Sequence, residues 1–299
     1  MGDERGIANI GDLAKPIDTF VAKVSEAITG LALPWQIERV ARAEQKVALI
    51  KVQTELETAI KQRALERFIL EESKKQENIE EITRKAIPDL NQSAQPESME
   101  NDWIANFFDK SRLISDDDMQ NLWAKVLAGE ANSPRTFSKR TINLLGSLDK
   151  SDAELFTNFC SFVWKLGPLI PIIHNERDKV FTSKGINTSS LEHLDSIGLV
   201  TYGGMGHRSY RTKRQRIALG YFGERIDIVF PKTPAAFHLG NTVLTRSGNE
   251  LARVCGAEPY PEYKDYMIEK WRKAGFEVQV ITGSHSFDDD IEEDEEDDE

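Results

Sequence analysis

From Trp35 to Ala86 the chain contains neither proline nor glycine, and strong helix formers fill the run. No other stretch limits the possible folds so severely. An unbroken helix of that length would approach ~75 Å at ~1.5 Å per residue. Ala48, Val52, Leu56, Ala59 and Ile60 make an apolar stripe that continues through Ala64, Leu65 and Phe68, at the spacing of one helix face. Such a helix cannot bury this stripe against itself. The stripe therefore implies either packing onto later helices or association with a second copy. The polar run EESKKQEN, residues 71–78, interrupts the stripe and marks either a bend or the turn of a hairpin. Eleven Lys or Arg face ten Glu over 35–86, a balance that describes a solvated surface with intrahelical ion pairs and not a nucleic-acid groove. Residues 35–86 are thus expected to form a long helical arm or hairpin.

The flanking segments are simpler. Within 1–34, the stretch DLAKPIDTFVAKVSEAITG places Ile17, Phe20, Val21, Val24 and Ile28 on one helix face. Its polar side is not rich in Lys and Arg as membrane-surface helices are, so packing against another helix is the expectation. Residues 87–100, IPDLNQSAQPESME, hold two prolines among polar groups and read as a linker.

Residues 101–167 are expected to form a helical bundle. The stretch SDDDMQNLWAKVLAGE, 115–130, sets three aspartates before an apolar helix. Successive residues of a helix point ~100° apart, so these carboxylates do not converge on a metal. They do suit a first turn, where free amides and the helix dipole favour negative charge, with Ser115 as the cap and Gly129 closing the helix. Ser138 caps the next helix, with Phe137 and Ile142 as a hydrophobic staple, and Ser151 with Glu154 opens a third as a capping box. Leu155, Phe159, Phe162, Val163 and Leu166 line that third helix, and Cys160 is expected in its core.

Beyond Pro168 the pattern changes. TSSLEHLDSIGLV reads as a helix capped by Thr188, stopped by Gly198 and running into a strand. RSYRTKRQRIALGYFGERIDIVF has the alternation and glycine punctuation of a hairpin. NTVLTRSGNELARVCG then supplies a strand, a cap at Thr245 and a helix. This order, with the phrases HLDSIGLV and LTRSGNEL, resembles a winged-helix module, placed at 168–283. The fold expected overall is mainly α: a long N-terminal helical arm, a central helical bundle and a C-terminal α+β winged-helix-like module.

The best functional signal lies in that hairpin. Arg208, Arg211, Lys213, Arg214 and Arg216 supply five positive charges in nine residues, with Tyr210 among them and no acid. Such a wing can lie along phosphates, each cation adding salt-dependent affinity, while Tyr210 either stacks or packs on a neighbouring strand. Catalytic signals are weaker. The five histidines do not pair at ligand spacing, and His174, followed by Glu176 and Asp178, offers a hydrolytic or nuclease reading that a polar turn explains better. Phosphate-binding loops and the nucleophile elbow are missing from the sequence. No cofactor is expected.

The phrases NDWIANFFDK, SDDDMQNLWAKVLAGE, PRTFSKRT and LDKSDAELFTNFCSFVW resemble the bacterial DUF2806 family, a domain of unknown function. ALERFILEESKKQENIEEITRKA and LTRSGNEL fit the same family. The segment around DMQNLWAKVLAGE is also similar to helical, Abi-alpha-like proteins of phage abortive infection. These resemblances imply a bacterial interaction protein and make phage defence its expected setting. They transfer no catalytic residue.

Whole-chain features bound the rest. The formal charge of −12 is carried by the end of the chain: DDDIEEDEEDDE, 288–299, holds eleven acids, and the remainder sums to −1. Residues 284–299 are expected to be a disordered acidic tail, able to compete for the chain's own cations. No apolar run reaches the ~18–20 residues a membrane span needs, and the two cysteines, Cys160 and Cys255, form no paired motif. A cytoplasmic, non-enzymatic protein follows, with DNA or RNA as its partner, a homo-oligomer through the arm as the alternative, and no membrane span.

Overall fold

The computed structural model describes residues 14–28, 55–204, 206 and 208–281. The expectations for the first half of the arm and for the acidic tail lie outside these residues. The chain divides into two compact units, 1–147 and 148–299. The helix that begins at Lys150 belongs to the second unit.

The first unit is helical. A helix over 14–28 (α1) precedes α2 (Glu55–Ala86), α3 (Asn101–Ser111), α4 (Asp117–Asn132) and α5 (Lys139–Leu145). The run 71–78 neither bends back nor breaks α2, which is one helix of 32 residues, ~48 Å long at ~1.5 Å per residue. Its polar residues keep the helix going by pairing one turn apart, as Lys75 does with Glu72 at 2.7 Å and Lys74 with Glu77 at 3.2 Å. Burial begins only at its C-terminal end. Residues 59–77 include no buried side chain, whereas Asn78, Ile79, Ile82 and Ala86 are buried.

Those residues meet a core built around aromatic side chains. Trp103 stacks on Phe107 at 5.2 Å, Phe107 meets Trp123 edge-on at 5.0 Å, and the Trp103 indole N–H donates to the Phe137 carbonyl at 2.7 Å. Of the expected stripe on α1, Phe20 and Val24 are buried, joined by Ala27, while Ile17 and Ile28 are half-buried and Val21 is exposed. The segment read as a linker is an ordered strap with two 3-10 turns, in which Leu90, Pro96 and Met99 are buried. The Gln95 N–H donates to the Ala131 carbonyl at 2.8 Å, and the Asn91 N–H to Asn132 Oδ1 at 2.9 Å. Each proline sits in a 3-10 turn, Pro88 exposed and Pro96 buried.

Helix starts in this unit follow local chemistry, shifted slightly from expectation. Asp116, not Ser115, caps α4 by accepting from the Met119 N–H at 3.0 Å, and Asp117 pairs with Lys85 of α2. Gly129 does not close α4, which continues to Asn132. Ser138 caps α5, and Phe137 and Ile142 are both buried. Glu130 is 2% exposed and accepts the N–H groups of Arg135 at 2.7 Å and Phe137 at 2.9 Å, so one carboxylate shapes the α4–α5 loop. Burial pushes its pKa up, partly offset by those N–H groups.

The second unit combines helices with antiparallel strands. It opens with α6 (Lys150–Cys160), capped by Asp149 with Asp152 completing the box, two residues ahead of the expected one. This helix ends at Cys160, and Phe162 and Val163 lie beyond it; Val163–Lys165 is strand β1. The apolar run there fits a short buried strand as well as a helix, an ambiguity that periodicity alone cannot resolve. After β2 (Leu169–Pro171) come the single turn α7 (Lys179–Thr182), α8 (Thr188–Ser196) and β3 (Val200–Tyr202). Asn187 caps α8 in place of Thr188. Strands β4 (Arg208–Thr212), β5 (Arg216–Tyr221), β6 (Glu224–Val229), β7 (Ala235–Gly240) and β8 (Thr242–Leu244) lead into α9 (Arg246–Ala252), α10 (Pro261–Lys273) and β9 (Glu277–Ile281).

Five strands form one sheet in the order β2-β1-β5-β6-β9. Trp164, Tyr221, Tyr263 and Trp271 pack together in the core of this unit, and Tyr263 accepts from the Trp164 indole at 2.8 Å while donating to the Ile172 carbonyl at 2.7 Å. Two glycines are required by close approach. A Cβ at Gly248 would stand 1.9 Å from the Leu199 carbonyl oxygen, and one at Gly240 would stand 2.0 Å from that of Ile173.

Candidate nucleic-acid interface

The basic run does not fold as the expected hairpin. β5 pairs with β6 across a two-residue turn, Phe222-Gly223, whose φ angles of 46° and 83° are both positive, the hallmark of a tight hairpin turn. β4 pairs instead with β7, and β3 with β8. The result is two two-stranded sheets, β3–β8 and β4–β7. The second is the ribbon that carries the basic run, and the Gly203 N–H bonds the Asn241 carbonyl at 3.0 Å beside it. The β5–β6 hairpin leaves from the ribbon's far end to join the five-stranded sheet. Local order mattered here: buried Ile217 and Leu219 stand directly opposite buried Ile228 and Ile226, so β5 matches β6 better than it matches β4.

Strand alternation then sorts the six candidate residues. Ser209 and Arg211 face solvent opposite His238 and Ala236, and Ser209 Oγ lies 2.8 Å from His238 Nδ1. Tyr210 lies on the other face, opposite the buried Phe237, which meets Trp271 at 5.4 Å. It packs and does not share a surface with Arg211. Lys213 and Arg214 are exposed in the turn after β4, where the Arg214 N–H donates to Thr212 Oγ1 at 2.9 Å. Arg208 is half-buried at the bulge that starts β4. Arg216, on β5, reaches the buried Asp227 at 3.7 Å, beside Arg225 at 2.8 Å. Its charge partly serves that carboxylate.

One cation escaped the sequence reading. Thr212 is opposite Ala235, and the Phe230 N–H bonds the Gln215 carbonyl at 2.8 Å. Residues 213–215 and 231–234 therefore converge at one end of the ribbon, and exposed Lys232 joins Lys213 and Arg214 there. Only the β4–β7 register reveals this, because Lys232 stands apart from the basic run. The neighbouring α8 has the opposite character: its exposed residues include Glu192 and Asp195 and no Lys or Arg.

Elsewhere the candidate chemistry is committed to structure. Glu176 accepts from Tyr202 at 3.1 Å and Thr188 at 3.3 Å, and Asp178 from Asn175 and Tyr266, both at 2.6 Å. The acids following His174 thus tie the α7 region to β3, α8 and α10. Among the described residues, no group of three or more His, Cys, Asp or Glu side chains is placed to hold a metal ion. Nor does a helix there have the length and apolar character to cross a membrane.

The model of the family described as protein of unknown function (DUF2806) matches residues 62–268, more than half of the chain. The chain belongs to the DUF2806 family. That span begins in α2 and ends in α10, so it takes in the ribbon, α8, and the core aromatics Trp103, Phe107, Trp123, Trp164, Tyr221 and Tyr263. No curated protein and no solved structure matches the chain.

Proposed function

We propose that this DUF2806 protein is a non-enzymatic, cytoplasmic nucleic-acid-binding protein of bacterial phage defence, whose ribbon end meets the phosphate backbone. The observation that carries the reading is the convergence of exposed Arg211, Lys213, Arg214 and Lys232 on one ribbon. The order α6, β2, α7, α8, β3, ribbon, β8 supports a winged-helix module in which the ribbon is the wing, elongated by the β5–β6 insertion. The bare, acidic surface of α8 argues that contact is wing-led: an α-helix bearing Glu192 and Asp195 is repelled by phosphates flanking a major groove, whereas Arg and Lys on a ribbon are drawn to them. Binding of this kind positions without reading bases, so weak sequence preference is expected. The phage-defence setting rests on the resemblance of the α4 region to abortive-infection proteins.

The test is binding of duplex and single-stranded DNA and of RNA at two salt concentrations, with the intact chain and with 288–299 deleted. Affinity that falls with salt supports the reading; absence of binding by either form refutes it. The eleven acids of 288–299 are the chain's own competitor for the ribbon, so their deletion is expected to tighten binding. Unchanged affinity on deletion would sink the competition alone.

A second reading has its own observation. Ile60, Ile69 and Leu70 of α2 are 54%, 49% and 71% exposed, and exposed apolar side chains on a helix suit self-association. Concentration-dependent assembly without salt-sensitive nucleic-acid binding would favour it.

A further inference from the structure

The two cysteines, distant in sequence, are neighbours in the second unit. Thr157 lies one turn before Cys160 on α6, and its hydroxyl donates to the Cys255 carbonyl at 3.1 Å. The end of α6 is thereby tied to the segment leaving α9. Both are free thiols, close enough for each to act electrostatically on the other. They differ in access. Cys160 is 3% exposed, whereas Cys255 is half-buried, with its Sγ 3.6 Å from the Ala252 carbonyl. A cavity of about 470 Å³ opens beside them, walled by Cys160, Val163, Phe222, Arg253 and Gly256.

We propose that Cys160 and Cys255 are an oxidisable dithiol that a peroxide closes into an intramolecular disulfide. The more accessible Cys255 reacts first: its thiolate sulfur attacks a peroxide oxygen, the O–O bond breaks, and Cys255 becomes a sulfenic acid as one water leaves. Cys160 then loses its proton, and its sulfur attacks that of Cys255. The S–S bond forms, the S–O bond breaks and a second water leaves. Two thiols have lost two electrons, and one hydrogen peroxide has become two waters. Burial pushes the Cys160 thiol up, which suits the resolving role, because a protonated buried thiol resists direct oxidation. The Thr157–Cys255 hydrogen bond holds the two cysteine-bearing segments side by side, as the short Cα separation of a disulfide requires.

The test uses the native full-length chain. It is exposed to hydrogen peroxide, then denatured and treated with N-ethylmaleimide, with the reduced, denatured chain as the reference for full labelling. Both thiols are expected to lose labelling together, with a Cys160–Cys255 peptide that reductant separates. In Cys160→Ser, the Cys255 sulfenic acid is expected to persist and to be trapped by a 1,3-dione. Continued labelling of both wild-type cysteines overturns the proposal, as does a linkage found only between chains. The wild-type readout stands whether or not the variant folds.

Discussion

Gly248 has nowhere to put a side chain. Its Cα lies against the Leu199 carbonyl, 1.9 Å from where a Cβ would stand, so Gly248→Ala must separate α9 from β3. A cost of about 3 kcal/mol is expected from the denaturant midpoint, and a loss under ~0.5 kcal/mol would deny the close approach. The glycine was visible in LTRSGNEL, but its reason is the carbonyl of a residue far away in sequence. Caps behaved differently. Their chemistry was legible because the cap is local, yet Asp116, Asp149 and Asn187 each took the place of a neighbour that could have served. In a run of several capping residues, the backbone chooses among them. Asp152 has a second task, accepting from His193 of α8 at 2.7 Å. Burial opposes ionisation, but the His193 contact and the Asp149 N–H outweigh it and hold Asp152 below the ordinary aspartate value of 3.8. A depressed carboxylate stabilises the fold above its unfolded value, and that increment is lost as pH falls through the folded one. Asp152→Asn is therefore expected to cost about 0.5–1 kcal/mol at neutral pH, modest because His193 is half exposed. The difference from wild type should shrink below pH ~4; a difference constant with pH would contradict it.

The elements divide by how far their partners lie. Periodicity alone located α2, yet which part of it packs depended on α4. Ile82→Ala, at 0% exposure, is expected to cost about 2–4 kcal/mol, whereas Leu70→Glu should change monomer stability by under ~0.5 kcal/mol. Equal costs in thermal or denaturant unfolding would contradict a helix packed at one end only. Strands were read less well. The stretch 208–230 does hold a hairpin, β5–β6 at Phe222-Gly223, but its first strand, β4, pairs with β7 beyond it. The three residues of β1 are too few to show a period, so the same apolar run also fits the end of a helix. The same limits governed the candidate site: the cations of 208–216 were legible as a run, while the separation of Tyr210 from Arg211 and the addition of Lys232 follow only from the β4–β7 register.

For the whole molecule, net charge was a poor guide to partners. The excess of acid over base is concentrated at one end of the chain, and the cations that matter are collected by a ribbon whose strands are separated by an inserted hairpin. The central claim is that this ribbon, and not α8, meets phosphate. The most direct measurement is the salt dependence of duplex DNA affinity for the wild type, for Arg211→Ala/Lys213→Ala/Arg214→Ala, and for Glu192→Gln/Asp195→Asn. Losing three phosphate contacts should make the log–log salt slope shallower by about 2–3, while the α8 substitutions should leave that slope unchanged. An unaltered slope and affinity in the triple variant would contradict the account.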